Sequence, residues 1–304
     1  MSANGGTRAV VAALAANLGI AVSKFVAFGV TGSTAMLSEA VHSVADSGNQ
    51  VLLLVGGRRA RREATTRHQF GFGRVRYVYG FIVSIVLFLV GGVFAVFEGA
   101  QKVTEGEHVG DTRVALIVLT VALVLEGLSL RTALKEAREA RGDTGMLRFL
   151  RESRQPELPV VLLEDTGALI GLAFAFIGVL MATITGDARW DGIGAIAIGV
   201  LLISIATFLA VEISSMLVGE AALPMEQEAI RAALESSELV HRVIHLRTMH
   251  VGPDELLVAA KVAVATTTSA RDIALGIDAA ERSLRAAVPS ARYVFIEPDL
   301  DRLL

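Results

Sequence analysis

From Val78 to Phe97 the chain reads VYGFIVSIVLFLVGGVFAVF, without one charged side chain. A helix needs about 20 such residues to cross the roughly 30 Å of bilayer hydrocarbon. Lipid offers no water to backbone N–H and C=O groups, so the segment must be helical. Five further stretches have similar length: about Val10–Val30, Thr34–Gly57, Val114–Leu130, Leu158–Ile184 and Ile193–Val218. A composition of 53% apolar and 19% charged residues, with a mean hydropathy of +0.58, agrees with a membrane protein of several spans. The sequence therefore predicts six transmembrane helices in a first domain, residues 1–218. There is no cysteine, which excludes disulfides and thiolate metal sites. Only Arg8 precedes the first apolar run, which is too long for a cleaved leader.

Basic residues set the expected orientation. Arg58, Arg59, Arg61, Arg62, Arg67, Arg74 and Arg76 follow the second span; Arg131, Lys135, Arg138, Arg141, Arg148, Arg151 and Arg154 follow the fourth. The opposite loops, TEGEHVGD and GDARWD, are short and acidic. The positive-inside rule puts both basic segments and both termini in the cytoplasm. Without a transit peptide, the expected location is a bacterial-type plasma (inner) membrane.

Beyond residue 218 the pattern changes. PMEQEAIRAALESS reads as a helix opened by Pro224. VHRVIHLRTMHV and ELLVAAKVAVAT are β-rich and separated by GPD. SARDIALGIDAAERSLRAAV is an amphipathic helix and ARYVFIEP a last strand. This α-β-β-α-β order predicts a small α+β domain over 219–304, of a size that folds more readily as a dimer.

The second span is the chemical anomaly. SEAVHSVADSGNQ places Glu39, His42, Asp46, Asn49 and Gln50 inside an apolar helix. His42 and Asp46 lie four apart and share a helix face, which Glu39 can join from three residues before His42. Charge at that depth costs several kcal/mol unless it faces a cavity, a partner or an ion. Imidazole with carboxylate suits zinc or a neighbouring divalent metal; a His–Asp hydrogen bond tying two helices is the alternative. The fifth span adds adjacent carboxylates, Glu164 and Asp165, about 100° apart on the helix, so one of them is expected to face His42 and Asp46. Lys24 in the first span and Glu126 in the fourth are expected to pair between helices, with a proton relay through Glu126 as the other reading. No HExxH helix is present, so an intramembrane metallohydrolase is not expected and the chain reads as a non-enzyme.

Taken in order, GSTAMLSEAVHSVAD with its His42-xxx-Asp46 spacing and RHQFGFGRVR, similar to a loop HPFGHGR, resemble the cation diffusion facilitator family. Within it, SEAVHSVAD, Arg76, EGLSL and VVLLEDTGALIG resemble the zinc transporter 9-like branch. The resemblance implies a homodimeric transporter, with no prosthetic group and no nucleic acid partner, exchanging zinc or a related divalent ion for protons by alternating access. Manganese, iron, cobalt or cadmium as preferred ion and a metal-sensing scaffold are the alternatives. It implies His42, Asp46 and Asp165 as metal ligands, with Asp165 essential and Glu164 secondary. The family's fifth-span histidine is Val161 here, leaving the fourth ligand to Glu164 or water. In the loop, Phe72 replaces a second histidine and leaves His68 alone. In the second domain, read as metallochaperone-like, His245 matches a family ligand. The next ligand position is Lys261, and the last strand offers Glu297 and Asp299, so a full cytoplasmic metal site is not expected. His241 and His250 are read as surface residues.

Overall fold

The computed structural model describes residues 18–105, 112–142, 145–154, 157–300. The start of the first predicted span and most of the acidic loop after the third lie outside the described residues. The chain divides into two compact units: one takes residues 1–58 and 78–213, the other residues 59–77 and 214–304.

The first unit is all helix. Helix α1 is described over Leu18–Thr31 and α2 over Thr34–Ala60. Helix α3 runs over Val75–Glu105, α4 over Arg113–Arg141, α5 over Met146–Glu152, α6 over Glu157–Thr185 and α7 over Arg189–Val218. Among the described residues, four stretches are long and apolar enough to cross a membrane: Val75–Glu105, Arg113–Arg131, Pro159–Thr185 and Arg189–Val218. Their exposed faces are apolar, as at Ile117, Val121, Val124 and Leu128 on α4, spaced three to four residues apart. Helix α2 is long but too polar to join that set. Its polar residues are hidden: Ser38, Glu39, His42, Ser43, Ser47 and Asn49 are all buried, and Val44 and Val51 are exposed. The fourth expected span is longer as a helix, since α4 continues through the basic segment to Arg141.

Glycines let the helices close up. A Cβ on Gly99 of α3 would stand 2.6 Å from the Gly192 carbonyl of α7, and one on Gly199 would stand 2.7 Å from the Gly92 carbonyl. A Cβ on Gly178 of α6 would stand 2.9 Å from the Trp190 carbonyl of α7. Backbone against backbone is how apolar helices gain packing where lipid removes the hydrophobic drive. A buried carboxylate fixes the start of α2. Asp191, buried in the first turn of α7, accepts from Ser33 Oγ and from the Thr34 backbone N–H, both at 2.7 Å. It supplies from another helix the anionic cap that an N-terminus favours. Helix α3 also widens into a π-helix over Leu87–Val93, a feature the sequence reading did not anticipate.

In the second unit, helix α8 (Pro224–Glu235) and helix α9 (Ala270–Ala287) accompany a sheet of β1 (Arg242–Gly252), β2 (Glu255–Val264) and β3 (Ala291–Leu300). The order is β1-β2-β3, antiparallel for the first pair and parallel for the second, with α9 as the crossover. Ile230, Leu234, Leu256, Val258, Val262, Ala280 and Leu284 form its core. The arginine-rich segment after α2, expected as a loop of the first domain, belongs to this unit. Phe70 meets Tyr293 edge-on at 5.2 Å, and Arg76 pairs with Asp254 at 3.5 Å. A Cβ on Gly73 would fall 2.9 Å from Gly252 Cα, so only glycine allows this approach.

Candidate metal site

Helix α2 carries a run of buried side-chain atoms that have no hydrogen-bond partner among the described residues. They are Ser38 Oγ, Glu39 Oε1, both ring nitrogens of His42, Asp46 Oδ1, Asn49 Oδ1 and Gln50 Oε1. Buried polar groups in proteins are ordinarily paired, and each unpaired one costs about 1–3 kcal/mol. A row of them along one helix has the chemistry of a surface that receives something charged. His42 Nε2 lies 3.4 Å from Asp46 Oδ2, one turn on, so the expected pair is formed at van der Waals range without a hydrogen bond. Opposite His42 is the π-helical turn of α3: a Cβ on Gly91 would lie 3.8 Å from His42 Nδ1. π-turns recur at functional sites because they open the regular ladder.

Helix α6 supplies the carboxylates. Glu164 is buried, on the same face as Val160, Ala168 and Ala175, and accepts a 2.7 Å hydrogen bond from Asn49 Nδ2. It is also within electrostatic range of Asp46. Asp165 is rotated away and accepts from Ser129 Oγ of α4 at 3.2 Å. The structure thus turns Glu164, rather than Asp165, toward α2. Glu126 of α4 is mostly buried and within electrostatic range of both Asp46 and Asp165. Lys24 does not form its hydrogen bond with Glu126. Its ammonium bonds Glu39 Oε2 at 3.1 Å and Ser43 Oγ at 2.7 Å, which corrects the expected pairing, because Glu39 and Ser43 sit one turn apart on the helix beside it. Among the described residues no three His, Asp or Glu side chains stand close enough together to hold a metal ion at once. His42, Asp46 and Glu164 share a neighbourhood and would have to close around a cation.

The second unit offers a different arrangement. The register sets His245 opposite Lys261 on one side and Glu297 opposite it on the other. Lys261 Nζ lies 3.0 Å from Glu297 Oε1 and 3.5 Å from Asp299 Oδ2. The Glu297 hydrogen bond and charge, then Asp299, hold the Lys261 ammonium above the usual lysine range. His68 packs on Phe72 at 4.7 Å and belongs to no metal cluster among the described residues. His241 is exposed, and His250 is buried rather than on the surface as expected, with its backbone N–H donating to the Glu220 carbonyl at 2.8 Å.

Residues 10–218 match the family model for the cation efflux transmembrane domain. The chain belongs to the cation efflux family. Among its relatives is the "Proton-coupled zinc antiporter SLC30A9, mitochondrial" of Mus musculus, 30% identical over 79% of this chain and 42% of that protein. Another is "Metal tolerance protein C4" of Arabidopsis thaliana, 27% identical over 84% of this chain and 56% of that one. A third is "Magnetosome protein MamB" of Paramagnetospirillum magneticum, 22% identical over 88% and 86%. The chain spans about two fifths of the length of the mouse relative. Of solved structures, MamM-CTD is similar over 25% of this chain and 96% of its own, at 18% identity and a TM-score of 0.25. The family match places the polar helix α2 and the carboxylates of α6 inside the matched cation efflux region.

Sequence reasoning singled out His42, Asp46, Glu164 and Asp165 but not the positions that the structure sets around them. Gly91 gave no signal beyond a Gly-Gly pair inside an apolar run. Asn49 stood out as polar but had no role until its bond to Glu164 was seen.

Proposed function

We propose that this cation efflux protein is a zinc/proton antiporter working by alternating access through six spans, as a homodimer, with both termini on the cytoplasmic side of a bacterial-type inner membrane. The observation that carries the reading is the buried imidazole–carboxylate pair His42–Asp46, three of whose polar atoms have no hydrogen-bond partner among the described residues. The name of the mouse relative, a proton-coupled zinc antiporter, supports it. His42 and Asp46 on α2 take the cation together with the Glu164–Asp165 pair on α6. Zinc binds these groups only in their deprotonated forms, so loading releases protons and protons returning to the same groups release the metal. The imidazole favours zinc over ions that prefer all-oxygen sites. Because no three of these side chains stand together among the described residues, binding requires them to close around the ion, and this closure couples occupancy to the change of access.

The test is purified full-length protein in vesicles under an imposed pH gradient, with zinc, manganese, iron, cobalt and cadmium compared. Zinc flux that follows the gradient is the expected result. Flux of zinc indifferent to the gradient removes the proton coupling, and no flux of any ion removes the transporter reading in favour of a metal-sensing scaffold.

A further inference from the structure

Lys24 and Glu39 are completely buried within the helix bundle, and neither is needed as a ligand by the proposed site. Their arrangement is that of a small cation site already filled. The ammonium takes one carboxylate oxygen of Glu39 at 3.1 Å and the hydroxyl of Ser43 at 2.7 Å. The other carboxylate oxygen, Glu39 Oε1, has no hydrogen-bond partner among the described residues. It lies against Gly171 of α6, where even a Cβ would come within 2.8 Å of it. The neighbouring Ser38 Oγ is also buried and unpartnered. Two oxygens of α2, Glu39 Oε2 and Ser43 Oγ, thus hold the ammonium of a lysine from α1 beside His42, and the second oxygen of the same carboxylate stays buried and open.

A buried ion pair is a poor way to gain stability, because desolvation offsets most of the attraction and apolar residues of the same size often do as well. A carrier that returns empty faces a second cost. Any carboxylate that takes up no proton on the return step is an uncompensated charge in a low-dielectric interior, a cost that a fixed positive charge reduces. We propose that the Glu39–Ser43 pocket is a cation-binding position and that Lys24 is its tethered occupant, standing in for a divalent cation when the transporter is empty. The binding half of this proposal stands by itself; its consequence for turnover rests on the antiport reading.

The test uses the full chain in detergent, with cobalt(II) and zinc counted by equilibrium dialysis. Lys24→Met keeps the length of the side chain and removes the charge. The expected result is one more bound divalent ion per chain than in the unsubstituted protein, lost again in the double variant Lys24→Met/Glu39→Gln. In vesicles, Lys24→Met is expected to lower both the zinc KM and the maximal rate several-fold, as the ion lingers. His42→Ala separates the two readings: it removes binding at the transport site and leaves the extra ion of Lys24→Met in place. Unchanged stoichiometry in Lys24→Met, with only a fall in thermal midpoint, would overturn the tethered cation and leave Lys24 as helix packing. A His42→Ala protein that binds and transports as before would instead overturn the transport site.

Discussion

Two parts of this molecule bring histidine and carboxylates together, and they differ in what is left unpaired. Along α2 the polar side chains are largely buried, and several of their atoms lack partners among the described residues. On the sheet of the second unit the same residue types stand in register around Lys261, and its ammonium supplies the positive charge to Glu297 and Asp299. The first arrangement leaves buried donors and acceptors open, whereas in the second the Lys261 ammonium already holds both carboxylates. Donor identity alone is therefore a weak guide to a metal site; what decides is whether the donors are already satisfied, and how deeply they are buried.

The largest expected effect breaks the first half of the comparison. His42→Ala and Asp46→Ala are each expected to lower zinc-driven proton flux by more than about 100-fold, beyond the usual loss for a residue that only supports a ligand. Both proteins should remain folded, as judged by size-exclusion profile and thermal midpoint. A destabilised protein that still transports would instead make the pair structural.

A second measurement sharpens which carboxylate completes the site. Glu164 touches Asn49 of α2 and Asp165 touches Ser129 of α4. Glu164→Gln should therefore reduce flux about 10- to 100-fold, the scale seen when support for a metal ligand is lost, and Asp165→Asn should reduce it less. The reverse order would mean that α6 works rotated by about 100°, one residue's turn, with Asp165 facing His42 as the family resemblance implies.

The smallest effect tests the filled site. Lys261→His in a His42→Ala background should add one zinc per chain by isothermal titration, because it replaces the resident ammonium with a donor between His245 and Glu297. If the Lys261 protein already binds zinc there, the ammonium is no barrier and the contrast between the regions fails. The ion pair itself should show no pH dependence near neutrality. Glu297 raises the Lys261 pKa, so its contribution is complete below the unfolded lysine value of about 10.4 and is lost only as pH rises through the folded value. The shift in thermal midpoint caused by Glu297→Gln should thus be the same at pH 6 and pH 8.

The sequence by itself determined a good deal. Charge-free runs such as Val78–Phe97 dictate membrane helices, since only a helix satisfies its own backbone in lipid. The α-β-β-α-β order of the second unit followed from a switch in hydrophobic period, and its three strands and two helices lie where that pattern put them. The spacing of His42 and Asp46 fixed their shared face, because a helix has one geometry. Tertiary structure alone decided the rest. Lys24 meets Glu39 and not Glu126, since partners 15 residues apart across a turn are chosen by how α1 lies along α2. Which of two adjacent carboxylates faces the site depends on the rotation of α6, which is set by glycines against α7 and by Asn49. The π-turn of α3 beside His42 and the attachment of the 59–77 segment to the sheet leave little trace in composition. Periodicity reports which face of a helix is buried, whereas the neighbour across that face is fixed only when all the helices pack at once.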